Sequence, residues 1–353
     1  MKLYDILTHS AEAALRLQRA DGSLPPGHNG PYQDPETPVR TTAHWLLTFL
    51  KAYQITQAAP YLQAVQNALR YLCQPELRPA GGTFVCRSKA GKDACNGLIG
   101  QVRALEALIA GAPYAPDDIK PLAVAEAVFR AHPYDQALHL WQRVEPDGQV
   151  LSVSMAFNQQ LWFAAMGALL AAHMGASIQQ QVSDFMDAVP NHLQLYPSGL
   201  VYHRLKLPGS ALQALKWHLI ERRHAADRKE RAVGYHAFTL YAFALLKQQY
   251  PQHPIWESPA FQKALAHTRS QAYEQSVAGN KYGYAYNPLG FEVAFVLEVF
   301  GGESTRSEQV RWVQRQLKDH LNAQTHRMTE HTSDPETLAS RLYEAASLSN
   351  LAL

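Results

Sequence analysis

Long apolar runs are missing from this 353-residue chain, and so is a marked excess of either charge. No uninterrupted hydrophobic stretch approaches the ~20 residues that cross a bilayer. Residues 1–10 hold no extended apolar segment ahead of Glu12 and Arg16, which argues against a secretory signal. Lys and Arg number 32 against 30 Asp and Glu, a net charge of +2. No strong field therefore draws the chain to nucleic acid or to an anionic membrane surface. Cysteine is scarce. Cys73, Cys86 and Cys95 cannot all pair within one chain, which fits reduced thiols in a cytoplasm. They lack CxxC spacing and no HExxH occurs, so no metal is expected; Cys95 joined by a distant His is the one arrangement left open. P-loop, GxGxxG and GxSxG patterns are absent too, which removes nucleotide-driven and serine-hydrolase readings and leaves no cofactor expected.

What is present is helical. Hydrophobic residues make up 47% of the chain, enough for a sizeable core. Ala, Leu and Gln recur, apolar residues fall three and four apart, and Gly and Pro cluster between the periodic stretches. No low-complexity segment or long linker divides residues 1–353, so a single domain is expected. The helical stretches are of two alternating kinds. Residues 3–20, 60–74, 116–131, 176–188, 258–275 and 305–322 are amphipathic, with a charged or Gln-rich face. Residues 38–53, 95–110, 156–173, 235–248, 289–300 and 336–350 are more apolar and open with polar or aromatic residues. An outer helix must solvate one face, whereas an inner one is covered nearly all round. Six such pairs predict an all-α (α/α)6 toroid of six helical hairpins. An open solenoid is the alternative, but it wants a closer repeat and polar caps. Gly81–Cys86, Gly199–Arg204 and Lys281–Tyr286 read as short β-hairpins on one rim.

In a ring of this kind the loops leading into the inner helices surround a common cavity. Those six entrances are His28–Trp45, Lys92–Gln101, Met155–Trp162, Gly234–Thr239, Tyr282–Glu292 and Asp334–Thr337. Polar residues there are costly in a plain helical core unless they are hydrogen-bonded. Arg40 and His44 stand four apart and share a helical face. Asn96, then Asn158 with Gln159, then Tyr235 with His236 open the next three inner helices. If residues 281–286 are extended, Tyr282, Tyr284 and Tyr286 project from one face, followed by Asn287. Walls of Tyr, Trp, Asn, Gln, His and Arg suit a sugar: aromatic faces cover its C–H surface, amides bind hydroxyls, and Arg grips a carboxylate. Tyr32, Trp45, His203, Arg204 and Glu292 join the binding candidates. Each has a plainer reading as core or capping. Asp34-Pro-Glu-Thr37 and Asp334-Pro-Glu-Thr337 both read as helix starts, with Asp as N-cap and Pro first in the helix. The charged run Glu221–Arg231 reads as a solvated segment, or as a lid over an acidic substrate. Leu17–Ser23 is similar to the Gln-and-Gly turn of terpene-cyclase repeats, but it occurs once clearly and no DxDD or DDxxD accompanies it.

The pattern resembles the (α/α)6-toroid carbohydrate-active enzymes: glycoside hydrolases, uronate lyases of the heparinase and alginate-lyase type, and glucuronyl C5-epimerases. The entrances His28–Trp45, Asn96–Gln101 and Asn158–Trp162 are also similar to proteins of surface-glycan and protein-glycosylation gene clusters, where hydrolase or sugar isomerase activity is expected. The resemblance implies an oligosaccharide or other sugar-containing substrate. It also implies abstraction of the C5 proton of a uronate, by lyase or epimerase chemistry. In that reading Arg40, Asn96, Asn158 and Gln159 bind the substrate, while His44, His236, Tyr235, Tyr284 and Tyr286 transfer protons, His236 or Tyr286 acting on C5. A hydrolase instead needs two carboxyl groups across the scissile bond, for which Asp34, Glu36, Asp93, Glu292 and Asp334 are the rim candidates. A glycan-binding scaffold without catalysis keeps the aromatic walls but needs no perturbed acid or base.

Overall fold

The structure, a computed structural model, describes residues 1–205 and 225–353. Thirteen α-helices form among the described residues, and they alternate in kind as the composition predicts. α1 (Leu3–Leu15), α3 (Ala59–Cys73), α5 (Pro121–Ala131), α7 (Ala176–His192), α9 (Pro259–Thr268) with the short α10 (Gln271–Ser276), and α12 (Arg306–His320) each bury a single stripe. α2 (Val39–Thr56), α4 (Gly97–Gly111), α6 (Phe157–Met174), α8 (Ala225–Gln249) and α11 (Leu289–Gly301) are buried over most of their length. α13 (Pro335–Ser340) tightens into a 3₁₀ segment, Arg341–Ser347, where a continuous helix is predicted.

Each inner helix packs on the next in the order α2, α4, α6, α8, α11. The 3₁₀ segment after α13 touches α11 and returns to α2, so the inner contacts run in a closed cycle. Outer helices back the preceding inner ones: α3 on α2, α5 on α4, α7 on α6 and α12 on α11. A backbone strap joins the first and last residues, Leu3 N–H donating to the Leu351 carbonyl and Leu353 N–H to that of Met1, both at 2.9 Å. Between α6 and α8 the core is aromatic, Trp162 stacking on Phe238 and Tyr241 at 4.8 and 5.3 Å. No helix among the described residues is long and apolar enough to cross a membrane.

The strands differ from the expected ones. The sheet is an antiparallel meander of β1 (Tyr134–Asp135), β2 (Leu140–Val144) and β3 (Val150–Val153), placed between α5 and α6. Its signal is in the sequence: Pro146-Asp-Gly148 is a hairpin turn between apolar alternations. Residues 281–287 are not extended. Bonds from Gly283 N–H to the Asn280 carbonyl, and from Tyr286 and Asn287 N–H to the Gly283 carbonyl, wind them into turns. Gly81–Cys86 forms no strand, and Gly199–Arg204 keeps only the isolated bridges Leu195–Val201 and Ala156–Arg204.

Gly290 marks the closest approach of α11 and α12. A Cβ there would lie 2.4 Å from the Trp312 carbonyl oxygen and 2.5 Å from Gln316 Cβ. Gly290→Ala is expected to push the helices apart and lower stability by about 1–3 kcal/mol, seen as a lower urea midpoint with an unchanged slope.

Candidate functional site

The entrances of the inner helices open on one cavity of about 680 Å³. Arg40 comes from α2, Asn96 and Gly97 from the start of α4, Asn158 and Gln159 from α6, Tyr235 and Phe238 from α8, Tyr286 and Asn287 from the turn before α11, and Arg341 from the last segment. Tyr32, His203 and Arg204 complete the predicted residues on the lining. Two of these entrances are strained: Asn29 (φ 63°) and Asn96 (φ 55°) are left-handed, a conformation Asn tolerates better than most side chains.

One wall is a chain of phenols. Tyr32 and Tyr235 hydroxyls meet at 2.9 Å, and the Tyr286 ring lies edge-on to Tyr235, centroids 6.4 Å apart. Tyr286 donates to Asn29 Oδ1 at 2.7 Å, and Arg231 Nη1 reaches Tyr32 at 3.4 Å. Burial holds Tyr235 well above the ordinary phenol range, and its neighbours Tyr286 and Tyr32 add to this. Burial raises Tyr32 in the same way. These phenols keep their protons at neutral pH and are donors. His203 lies against Tyr235, ring centroids 4.9 Å apart. Burial, with Arg231 nearby, pulls its imidazole down to about 4, and its Nδ1 is buried without a partner. His203 is therefore neutral, with a lone pair available. Beside it in the fold, the Phe157 N–H bonds to the His203 carbonyl, and Asn158 Oδ1 is likewise buried and unpartnered.

The floor is made of arginines. Arg40 pairs with Glu36 at 3.0 Å and donates to Asn29 Oδ1 at 2.9 Å. Arg341 is held by Glu292 at 2.9 Å, Glu344 at 2.5 Å, the Asn287 amide oxygen and the Tyr286 carbonyl. Arg103 donates to Tyr343 at 2.6 Å and lies over Phe238 and Trp162. Burial raises the carboxyls around them. Glu292 is pushed well above the carboxylate range by burial and by Glu344, against the pull of Arg341. Glu106 is raised to about 7 and Glu36 moves in the same direction, each despite a neighbouring arginine. At the rim, Arg87, Lys89 and Lys92 converge on Asp34, and Arg87 and Arg143 on Asp93.

Several predicted roles meet a different geometry. His236 is away from the cavity: Nδ1 accepts from Val201 N–H, Nε2 meets Thr268 at 3.1 Å, and burial beside His267 takes it down to about 3. His44 shares the face of Arg40 but lies one turn deeper, stacked on Tyr343 at 4.4 Å and bonded to Ser340. Because residues 281–287 turn, Tyr284 leaves the other tyrosines and packs on Trp312 with Arg315 over its ring. Tyr282 backs Tyr32 and Tyr235 at 5.6 and 5.8 Å without lining the cavity. Trp45 is core, stacked on Phe49, and Glu292 lies behind Arg341. Asn287 lines the cavity with its amide consumed, Nδ2 donating to the Gly234 and Tyr282 carbonyls. Gln159 Oε1 likewise accepts from Leu98 N–H and Ser154. Of the two Asp-Pro-Glu-Thr copies, Asp334 does cap α13 through Thr337 N–H, and also holds His28 and Gly30 N–H. Asp34 caps nothing, because α2 starts at Val39; burial opposes its charge, but Lys89 and Lys92 bring it down to about 2. Glu221, Arg222 and Arg223 of the predicted lid lie outside the described residues.

The reading of the sequence missed Arg103 and Arg341. Their signal was available: each is an arginine within a buried apolar run with a glutamate three residues on, a placement of charge rarely found in a core without a role. Glu106 gives a direct check on the floor. Its carboxyl is raised from the ordinary value of 4.5 to about 7. The folded state then binds a proton that the unfolded chain releases, so its contribution is full below pH 4.5 and is lost as pH rises towards 7. The stability of Glu106→Gln relative to the parent should therefore rise by up to about 3 kcal/mol between those pH values, measured by urea unfolding across the range.

No protein-family model matches the chain. Archaeal glycosylation protein Q of Haloferax volcanii is 43% identical over an alignment of 363 residues, which covers 98% of this chain and 97% of that protein. The fold is similar to cellobiose 2-epimerase from Spirochaeta thermophila (TM-score 0.65, 14% identity, 98% of this chain and 95% of that one). It is also similar to D-mannose isomerase (0.65, 12%, 98% and 97%) and to the GH76A alpha-1,6-mannanase of a Salegentibacter species (0.58, 12%, 98% and 98%). Its structural neighbours thus include carbohydrate-acting epimerases and a glycoside hydrolase, and with 43% identity over nearly its whole length the chain belongs to the family of archaeal glycosylation protein Q.

Proposed function

We propose that residues 1–353 form one (α/α)6 toroid of six hairpins, and that its cavity houses a cytoplasmic epimerase acting on a uronic-acid-containing glycan by proton transfer at C5. The observation that carries this reading is the neutral His203 beside the protonated Tyr235, in a cavity lined by nine Arg or Lys and three Asp or Glu among the described residues. A C5 proton is weakly acidic and becomes removable when the neighbouring carboxylate is held by cations that stabilise the enediolate. His203 takes that proton onto its ring. Tyr32, bonded to Tyr235 and out of ring contact with His203, returns one to carbon from the opposite face and inverts the centre, with Tyr235 relaying a solvent proton to it.

The hydrolase reading has less support. The acids on the lining are engaged: Glu36 by Arg40, Asp93 by Arg87 and Arg143, Asp227 by Arg231. Inactive variants of the Salegentibacter mannanase replace two consecutive aspartates. The consecutive aspartates of this chain, Asp117 and Asp118, precede α5 outside the cavity, Asp118 paired with Arg70. A second reading, proton transfer at C2, is favoured by the fold shared with a cellobiose 2-epimerase and a D-mannose isomerase.

Incubation with uronate-containing oligosaccharides in D2O, followed by NMR, separates these readings. Deuterium at C5 is the expected result, with His203→Gln and Tyr32→Phe each slowing its appearance by about 10²–10⁴-fold. Deuterium at C2 selects the second reading, an unsaturated product makes the enzyme a lyase, and new reducing ends without exchange select the hydrolase. Full exchange in both variants overturns the assignment of the two residues.

A further inference from the structure

The carboxylate of a uronate needs a cation, and the obvious one is taken. Arg40 is already neutralised by Glu36, whose side chain is 2% exposed. Arg341 is more fully occupied, with two carboxyls, an amide oxygen and a backbone carbonyl around its guanidinium. At the rim, Arg87 and Arg143 share Asp93, while Lys92 is bound to Asp34.

Arg103 is different. It is 3% exposed and stands on the cavity lining, yet no carboxylate lies within ion-pair distance of it among the described residues. One hydrogen bond, from Nη1 to Tyr343, anchors it, and its Nε–H is buried without an acceptor. Phe238 and Trp162, themselves stacked at 4.8 Å, lie together on one side of the guanidinium, at 5.0 and 5.1 Å. The nearest acid on its own helix, Glu106, makes no ion pair with it and has one carboxyl oxygen buried without a partner. A buried cation with an open donor edge is destabilising by itself and favourable once an anion meets it. A planar fork anchored by Tyr343 matches a carboxylate better than a point charge does.

We propose that Arg103 is the seat of the substrate's carboxylate, and that it, rather than Arg40, sets the preference for an acidic sugar. This inference rests on the uronate reading of the cavity. It also assigns Arg40 a positioning part: with Glu36 and Asn29 it holds Tyr286 and the phenol chain in place, and it does not meet the acid.

The test is calorimetric titration of the full-length protein with D-glucuronate and with D-glucuronamide, its uncharged counterpart. The parent protein should bind glucuronate about 10- to 100-fold more tightly than the amide, the worth of a charge-assisted pair. Arg103→Met should lose that preference while binding the amide as before. Arg103→Lys, which keeps charge and volume if the methionine variant fails to fold, should retain a reduced preference. A parent that prefers the acid, with either variant preferring it equally, overturns the role of Arg103 and leaves the uronate reading standing. A parent that binds the two alike, or binds neither, removes the uronate reading and this inference with it.

Discussion

The structure turns on the guanidinium of Arg341. It is drawn from the last inner segment and bonds to Glu292 of α11, to Glu344 three residues along its own 3₁₀ turn, and to the Asn287 amide and Tyr286 carbonyl of the preceding turn. The 3₁₀ geometry brings residues three apart into line, which places Arg341 and Glu344 together. Burying such a group is unfavourable unless every donor is met, so the closing segment, α11 and the tyrosine turn are fixed relative to one another at a single point. Tyr286 gains its position on the cavity wall from that arrangement, and Asn287 passes it on to Gly234 within α8.

Around this point the cavity divides its labour by depth. The deepest layer is ionic and sealed by aromatic rings, with Phe238 under Arg103 and Arg341. Above it lies the phenol chain and His203, and around the mouth Asp34 and Asp93 tie the loop that carries Arg87, Lys89 and Lys92. Rigidity at the rim thus comes from paired charges, while the unpaired groups, Arg103, His203 and Asn158, face inward.

Helix periodicity made the architecture readable, because an outer helix and an inner one differ in composition along their whole length. α2, α4, α6 and α11 fall where small, apolar stretches open with polar residues, whereas α8 is already helical at Ala225, ten residues before the expected start, and brings Tyr235 to the cavity from within the helix. Individual side chains were less legible. Asn158, at the head of α6, and Tyr235, within α8, face the cavity, and the helical rotation of about 100° per residue decides which of their neighbours do. His236 follows Tyr235 directly and so points to Val201 and Thr268 instead. The tyrosine triplet misled for a related reason. Alternation was read as a strand, whereas the glycine at 283 and the amide of Asn287 close the segment into turns. Arg103 and Arg341 escaped notice because pairing, or its absence, is a property of side chains brought together from distant parts of the chain.

That distance has a kinetic side. Arg40, Arg103 and Arg341 meet on one floor although hundreds of residues separate the first from the last. Contacts of such span form late, since loop closure must precede them. Until the segment from Asp334 onward docks between α11 and α2, Glu292 lacks Arg341 and the faces of α11 and α2 that meet the segment stay open. The nascent chain therefore exposes α11, its most hydrophobic helix, and a carboxylate without its arginine together, a state prone to association. Closure of the ring by this segment is then the event that turns a string of helical hairpins into an enclosed chamber, and its speed governs how long a chaperone would have to shield the rest.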